Sequence, residues 1–155
     1  GKYVGLSAPL ANRVIGSITA PITRQATAAG ESALGDVIAD AQLQATTAPE
    51  LGGAVIGFMN SGGIRADLTY PSSPAGEGDG NVTYGEAFTV QPFGNSLVTM
   101  TVTGAQIDTL LEQQFDNPGP GQNRILQVSS GFTYSWSASR STSPPSRSVP
   151  SRRTA

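Results

Sequence analysis

Two short stretches hold the side chains best suited to chemistry. In "MNSGGIRADL", residues 59–68, Asn60 offers an amide that both donates and accepts. Gly62 and Gly63 permit positive φ and let a ligand come close to the backbone. Arg65 supplies a planar fork of donors matched to phosphate or carboxylate. In "TVQPFGNSL", Phe93 stands between Pro92 and Gly94, a rigid bend that presents a ring for stacking on a flat ligand, worth about 1–3 kcal/mol per base. A polar fork beside an aromatic platform would capture a planar, anionic molecule. Each feature also has a plain structural reading: a tight turn with a solvated arginine, and a core phenylalanine at the entrance to a strand. These two stretches taken alone leave both readings open.

Composition removes several alternatives. The 155 residues contain no histidine and no cysteine. Ser-His-Asp, Cys-His and HExxH chemistries are therefore excluded, and any catalysis would rest on carboxylates alone. Asp36 and Asp40 are four apart on a predicted helix, a spacing that solvated helix faces commonly show, so no metal site is assigned. The net charge of −2 is uneven: residues 1–136 hold all eleven acids against five bases, a balance of −6, whereas 137–155 hold four arginines and no acid. An acidic body lacks the clustered positive face that nucleic acids require. No apolar run approaches the roughly 20 residues of a membrane span, and "GKYVGLSAPLANRV" lacks the apolar centre of a signal peptide. Neither nucleic acid nor membrane is an expected partner. The low charge and the Thr/Ser/Gly/Ala-rich composition favour an exported protein.

The elements that must position these residues follow from periodicity. "RVIGSITAPITR", 13–24, reads as an irregular strand interrupted at Pro21. "SALGDVIADAQLQAT", 32–46, reads as a helix with Leu34, Val37, Ile38, Ala41 and Ala45 on its buried face. "GAVIGFM", 53–59, suits a strand covered on both faces, leading straight into the Asn60 loop. "YPSSPAGEGDGN" is an exposed connection. "SLVTMTVTG" alternates, with Val98, Met100 and Val102 on one side, and predicts a half-buried strand. It feeds a helix capped by Thr103 and Gln106, with Ile107, Leu110, Leu111 and Phe115 as its buried stripe. "RILQVSSGFTYSW" predicts a further strand pair, Phe132, Tyr134 and Trp136 alternating with Thr133 and Ser135. Mixed helices and strands make an α+β class. Residues 1–12 form a lead-in, 13–137 the domain, and 138–155 a Ser/Arg/Pro-rich tail whose composition predicts disorder.

The segments "GESALGDVIADAQL", "FMNSGGIRADL", "VTYGEAFTVQPFGNSLVTMTVTGAQIDTLLEQQF" and "RILQVSSGFTYSW", in that order, resemble the C-terminal domain of the 5'-nucleotidase family, which includes UDP-sugar hydrolases and 2',3'-cyclic-nucleotide phosphodiesterases. The resemblance runs from about Ile15 to Trp136. It implies a layered α/β/β/α sandwich and a nucleotide-binding role. Catalysis in such proteins belongs to an N-terminal metallophosphoesterase domain that holds two divalent metal ions, so this chain by itself is expected to contain no metal centre and to be inactive. The resemblance also implies roles: Asn60 and Arg65 on the ribose and phosphate side of the substrate, Gly62 and Gly63 as points of backbone approach, Phe93 stacked on the base, and Arg24 as a second substrate-binding arginine. An extracellular, periplasmic or cell-wall location goes with it.

Family members continue beyond the "FTYSW" strand into further strands and a "NFLADGGDGF"-like motif that this sequence lacks. The sandwich is therefore expected to be incomplete at its C-terminus, through truncation or a shifted reading frame. Uncovered sheet edges leave a homodimer open. A non-catalytic binding module reusing the same fold is the alternative function, and an upstream D-x-H and G-N-H-[ED] pattern in the parent gene decides between the two.

Overall fold

The computed structural model describes residues 2–137. The predicted tail lies outside them. In chain order the elements are α1 (Lys2–Ala11), β1 (Val14–Ser17), α2 (Ala33–Thr46), β2 (Phe58–Asn60), β3 (Asn81–Thr83), α3 (Tyr84–Val90), α4 (Gly104–Gln113) and β4 (Leu126–Val128). Single 3₁₀ turns follow α2, β2 and α4. The strands form two antiparallel pairs, β1 with β3 and β2 with β4, and an isolated bridge joins Ile22 to Leu68. This is an α+β fold with small sheets.

The first strand is irregular as expected but covers only Val14–Ser17 of the predicted 13–24. β1 pairs in the register Val14↔Thr83, Gly16↔Val82 and Ser17↔Asn81, so Ile15 is an extra residue that bulges the ladder. Beyond Pro21 the chain re-enters pairing only at Ile22, whose N–H and C=O both bond to Leu68.

α2 begins where Ser32 caps it, accepting the Gly35 N–H at 3.1 Å. Its buried face differs from the predicted stripe. Leu34, Gly35, Ile38 and Ala39 are buried, whereas Val37, Ala41 and Ala45 are exposed. The cause is close approach: Gly35 lies directly against the Gln127 side chain, and a Cβ on Gly57 would fall 2.5 Å from the Ala39 carbonyl. The helix turns its smallest residues to the β2–β4 sheet, and Val37 is rotated away.

Gln127 is fully buried and saturated. Its Oε1 accepts from the Ser32 N–H at 2.7 Å and the Ser32 hydroxyl at 2.9 Å, and its Nε2 donates to the carbonyls of Gly30 and Ile125, both at 3.1 Å. A buried amide with all its groups paired fixes how β4 meets the start of α2. The main core lies alongside, from Leu34, Ile38, Ala39, Met59, Ile64 and Val90, with Ile22, Ala66 and Leu68 packed on it.

Four expectations need correction. The strand predicted over 53–59 is confined to its last residues, because pairing with β4 begins only near Gly57, which exchanges hydrogen bonds with Ser129. Residues 97–102 have no ladder partner among the described residues and form no strand there, leaving Val98 79% and Met100 76% exposed. Residues 132–136 keep the predicted alternation of burial but form no strand among the described residues. Instead Phe132 meets Phe58 edge-on at 5.5 Å, and Trp136 meets Phe115 at 5.0 Å. In the second helix the Thr103/Gln106 capping box is present and Leu111 is buried, but Leu110 is exposed. α3 was not expected at all, although Thr83 and Glu86 form a full capping box at its start, a T-x-x-E signal readable from sequence.

Candidate functional site

β2 delivers Asn60 at its last ladder position, opposite Leu126. The chain then tightens into the 3₁₀ turn Ser61–Gly63, which Asn60 caps by accepting the Gly62 N–H at 3.2 Å. This leaves the exposed Nδ2 of Asn60 with no partner among the described residues. Contrary to expectation, neither Gly62 nor Gly63 has positive φ. Gly63 lies close over the core: a Cβ there would stand 2.6 Å from the Met59 Cε, so that methyl would have to shift.

Arg65 leaves this turn with an exposed side chain whose Nη1 donates to the Gly62 carbonyl at 3.1 Å. One guanidinium edge is thus tied to the loop and the rest is available. Its backbone N–H donates to the Val90 carbonyl at 2.8 Å, joining the loop to the last residue of α3. Three residues further on is Phe93, 52% exposed and followed by no strand. That exposure disposes of the core reading for this ring.

Arg24 reaches the same loop from the first strand region. Its Nη1 lies 3.5 Å from the Ile64 carbonyl, its backbone N–H donates to Asp67 at 2.8 Å, and its Nε lies 3.9 Å from the same carboxylate. Asp67 is the residue that sequence reasoning missed here. It partly neutralises Arg24 and leaves Arg65 as the cation of the loop without a carboxylate in contact among the described residues.

Charge elsewhere is separated from this surface. Burial, then the neighbouring Asp40, raises the pKa of Asp36, and burial, then Asp36, raises that of Glu31. For Glu86 burial pushes upward, but hydrogen bonds from Ser72 and from the Thr83 hydroxyl and N–H outweigh it and lower the pKa. Among the described residues, one open hollow of about 260 Å³ is lined in part by Asp67, Ser72 and Glu86, and another of about 450 Å³ lies beside Glu112 and Asp116. Neither includes Asn60, Arg65 or Phe93. These three residues are exposed. Among the described residues no group of three or more Asp or Glu is placed to hold a metal ion. Nor is any helix among them long and apolar enough to cross a membrane.

The family model "5'-nucleotidase, C-terminal domain" matches residues 14–151. The trifunctional nucleotide phosphoesterase protein YfkN of Bacillus subtilis is 39% identical over 106 residues, covering 68% of this chain and 6% of that protein. The cell wall protein Lmo0130 of Listeria monocytogenes is 40% identical over 108 residues, covering 68% of this chain and 12% of that protein. Among solved structures, a 5'-nucleotidase precursor from Thermus thermophilus superposes with a TM-score of 0.66 at 32% identity, over 86% of this chain and 24% of that one. The chain thus spans a small part of the length of each of these relatives.

Proposed function

The chain belongs to the 5'-nucleotidase C-terminal domain family, and from that premise we propose that residues 13–137 form the nucleotide-binding domain of a phosphohydrolase that removes phosphate from nucleotides. The observation that carries this reading is the Arg65 N–H to Val90 carbonyl bond, which ties an arginine-bearing loop to the bend that exposes Phe93. In this reading Phe93 stacks on the base and the free Asn60 Nδ2 donates to the ribose. Arg65, with Arg24 behind it, faces the phosphate. Two divalent metal ions, held on an N-terminal metallophosphoesterase domain of the parent protein, would supply the activated water. The chain's own residues bind and orient the substrate. An extracellular or wall-associated location fits, and Lmo0130 is named as a cell wall protein. A homodimer through uncovered sheet edges goes with this reading.

The test is a titration of the chain, followed by NMR, with three ligands: AMP, adenosine and ribose 5-phosphate. Arg65→Ala should weaken AMP and ribose 5-phosphate by roughly tenfold or more, the loss of a charge-assisted hydrogen bond, and leave adenosine unchanged. Phe93→Ala should weaken AMP and adenosine by about 1–3 kcal/mol and spare ribose 5-phosphate. If neither variant separates the ligands in this way, the loop and bend are not a nucleotide site.

A further inference from the structure

The loop and the bend meet at one buried side chain, Met59. Its sulfur accepts from two amides, Gln42 Nε2 on α2 at 3.3 Å and Gln91 Nε2 at 3.4 Å. Its methyl fills the space beneath Gly63, and its side chain packs in one core cluster with Ile64 and Val90. Gln91 ends α3, its backbone N–H bonded to the Ala87 carbonyl at 3.1 Å, and it immediately precedes Pro92 and Phe93. From Pro92 to Val102 no residue is hydrogen-bonded among the described residues. Gln91 is therefore the last anchored residue before the ring.

A thioether is a weak acceptor and does not require two donors. What the convergence fixes is the direction of the amides, and through Gln91 the direction in which the chain leaves α3. We propose that Gln91 is a positioning residue that confers preference for base-bearing ligands: its bond to Met59 sets where Phe93 stands relative to Asn60 and Arg65. The inference rests on the reading of Phe93 and Arg65 as ligand contacts.

The experiment repeats the three-ligand titration with Gln91→Leu, which loses the donor. AMP and adenosine should weaken roughly three- to tenfold, the size of one lost hydrogen bond, while ribose 5-phosphate is held as before. In a Met59→Leu background, where the sulfur is already absent, Gln91→Leu should add nothing further. Equal weakening of all three ligands, no weakening, or the same loss in both backgrounds overturns the proposal. Should Gln91→Leu fail to fold, Gln91→Met, unbranched like glutamine and without the donor, takes its place. Phe93→Ala run in parallel separates the two levels: no effect of Phe93→Ala on adenosine sinks the site and this inference together. A Phe93 effect without a Gln91 effect sinks this inference alone.

Discussion

Two segments of this chain alternate, and only one is a strand. "LQV" at 126–128 is short and carries a glutamine in its middle, yet it pairs with β2 and is almost fully covered by α2. "LVTMTV" at 97–102 alternates over six residues with stronger β-formers, yet it is unpaired among the described residues and exposed. Its Thr99 lies against Gly52. Alternation states what a segment is able to do. A strand exists only where a second backbone supplies the ladder and a third element covers a face.

The sharpest way to break this contrast is Gln127→Leu. It removes every bond that the buried amide makes and leaves the Ser32 donors and the Gly30 carbonyl unpaired inside the protein. Urea unfolding should show a loss of about 3 kcal/mol or more. A loss below about 1 kcal/mol would mean that packing alone, without the polar joint, holds β4 in place.

A smaller effect is expected at the first turn of α2. Asp36 has one carboxylate oxygen buried without a partner, and its raised pKa means that the folded state disfavours its charge. An acid whose folded pKa is raised contributes stability at low pH that is lost as pH rises from near the ordinary aspartate value of 3.8 through the folded value. Glu31 acts with the same sign, and Glu86, whose pKa is lowered, acts with the opposite one. Asp36→Asn should therefore raise the melting temperature at pH 7 and flatten the decline between acid and neutral pH. An unchanged melting profile from pH 3 to 7 would show that Asp36 is fully solvated.

The smallest effect belongs to the unpaired segment. Val98→Lys and Met100→Lys should each shift folding stability by no more than about 0.5 kcal/mol, because neither side chain is packed. Both should suppress concentration-dependent association measured by sedimentation, since each places a charge on an exposed apolar stretch. A loss of several kcal/mol would place the segment inside the fold.

The sequence made legible whatever a local signal dictates. The cap at Ser32, the Thr103/Gln106 box and the loop after β2 all follow from residues within a few positions of one another. The rotation of α2 was not legible, because Gly35 is buried by Gln127, far away in sequence. The alternation at 97–102 misled for the reason already given: its pairing depends on a partner elsewhere. At the candidate site the residue types were readable, but the Arg65–Val90 tie and the Asp67 contact depend on segments that only folding brings together.

The Ser32–Gln127 joint spans 95 positions, and this has a consequence for how the protein is made. A ribosome adding roughly 5–20 residues per second needs about 5–20 s to travel from one end of that joint to the other. Throughout that interval α2 has been synthesised, but its Gly35 surface has no Gln127 to lie against and Ser32 has no acceptor. Native closure must wait for the strand that comes last among the eight elements described, so the nascent chain carries an uncovered helix face for seconds. A chaperone that binds short apolar stretches would meet this protein there, between the appearance of Leu34 and that of Val128.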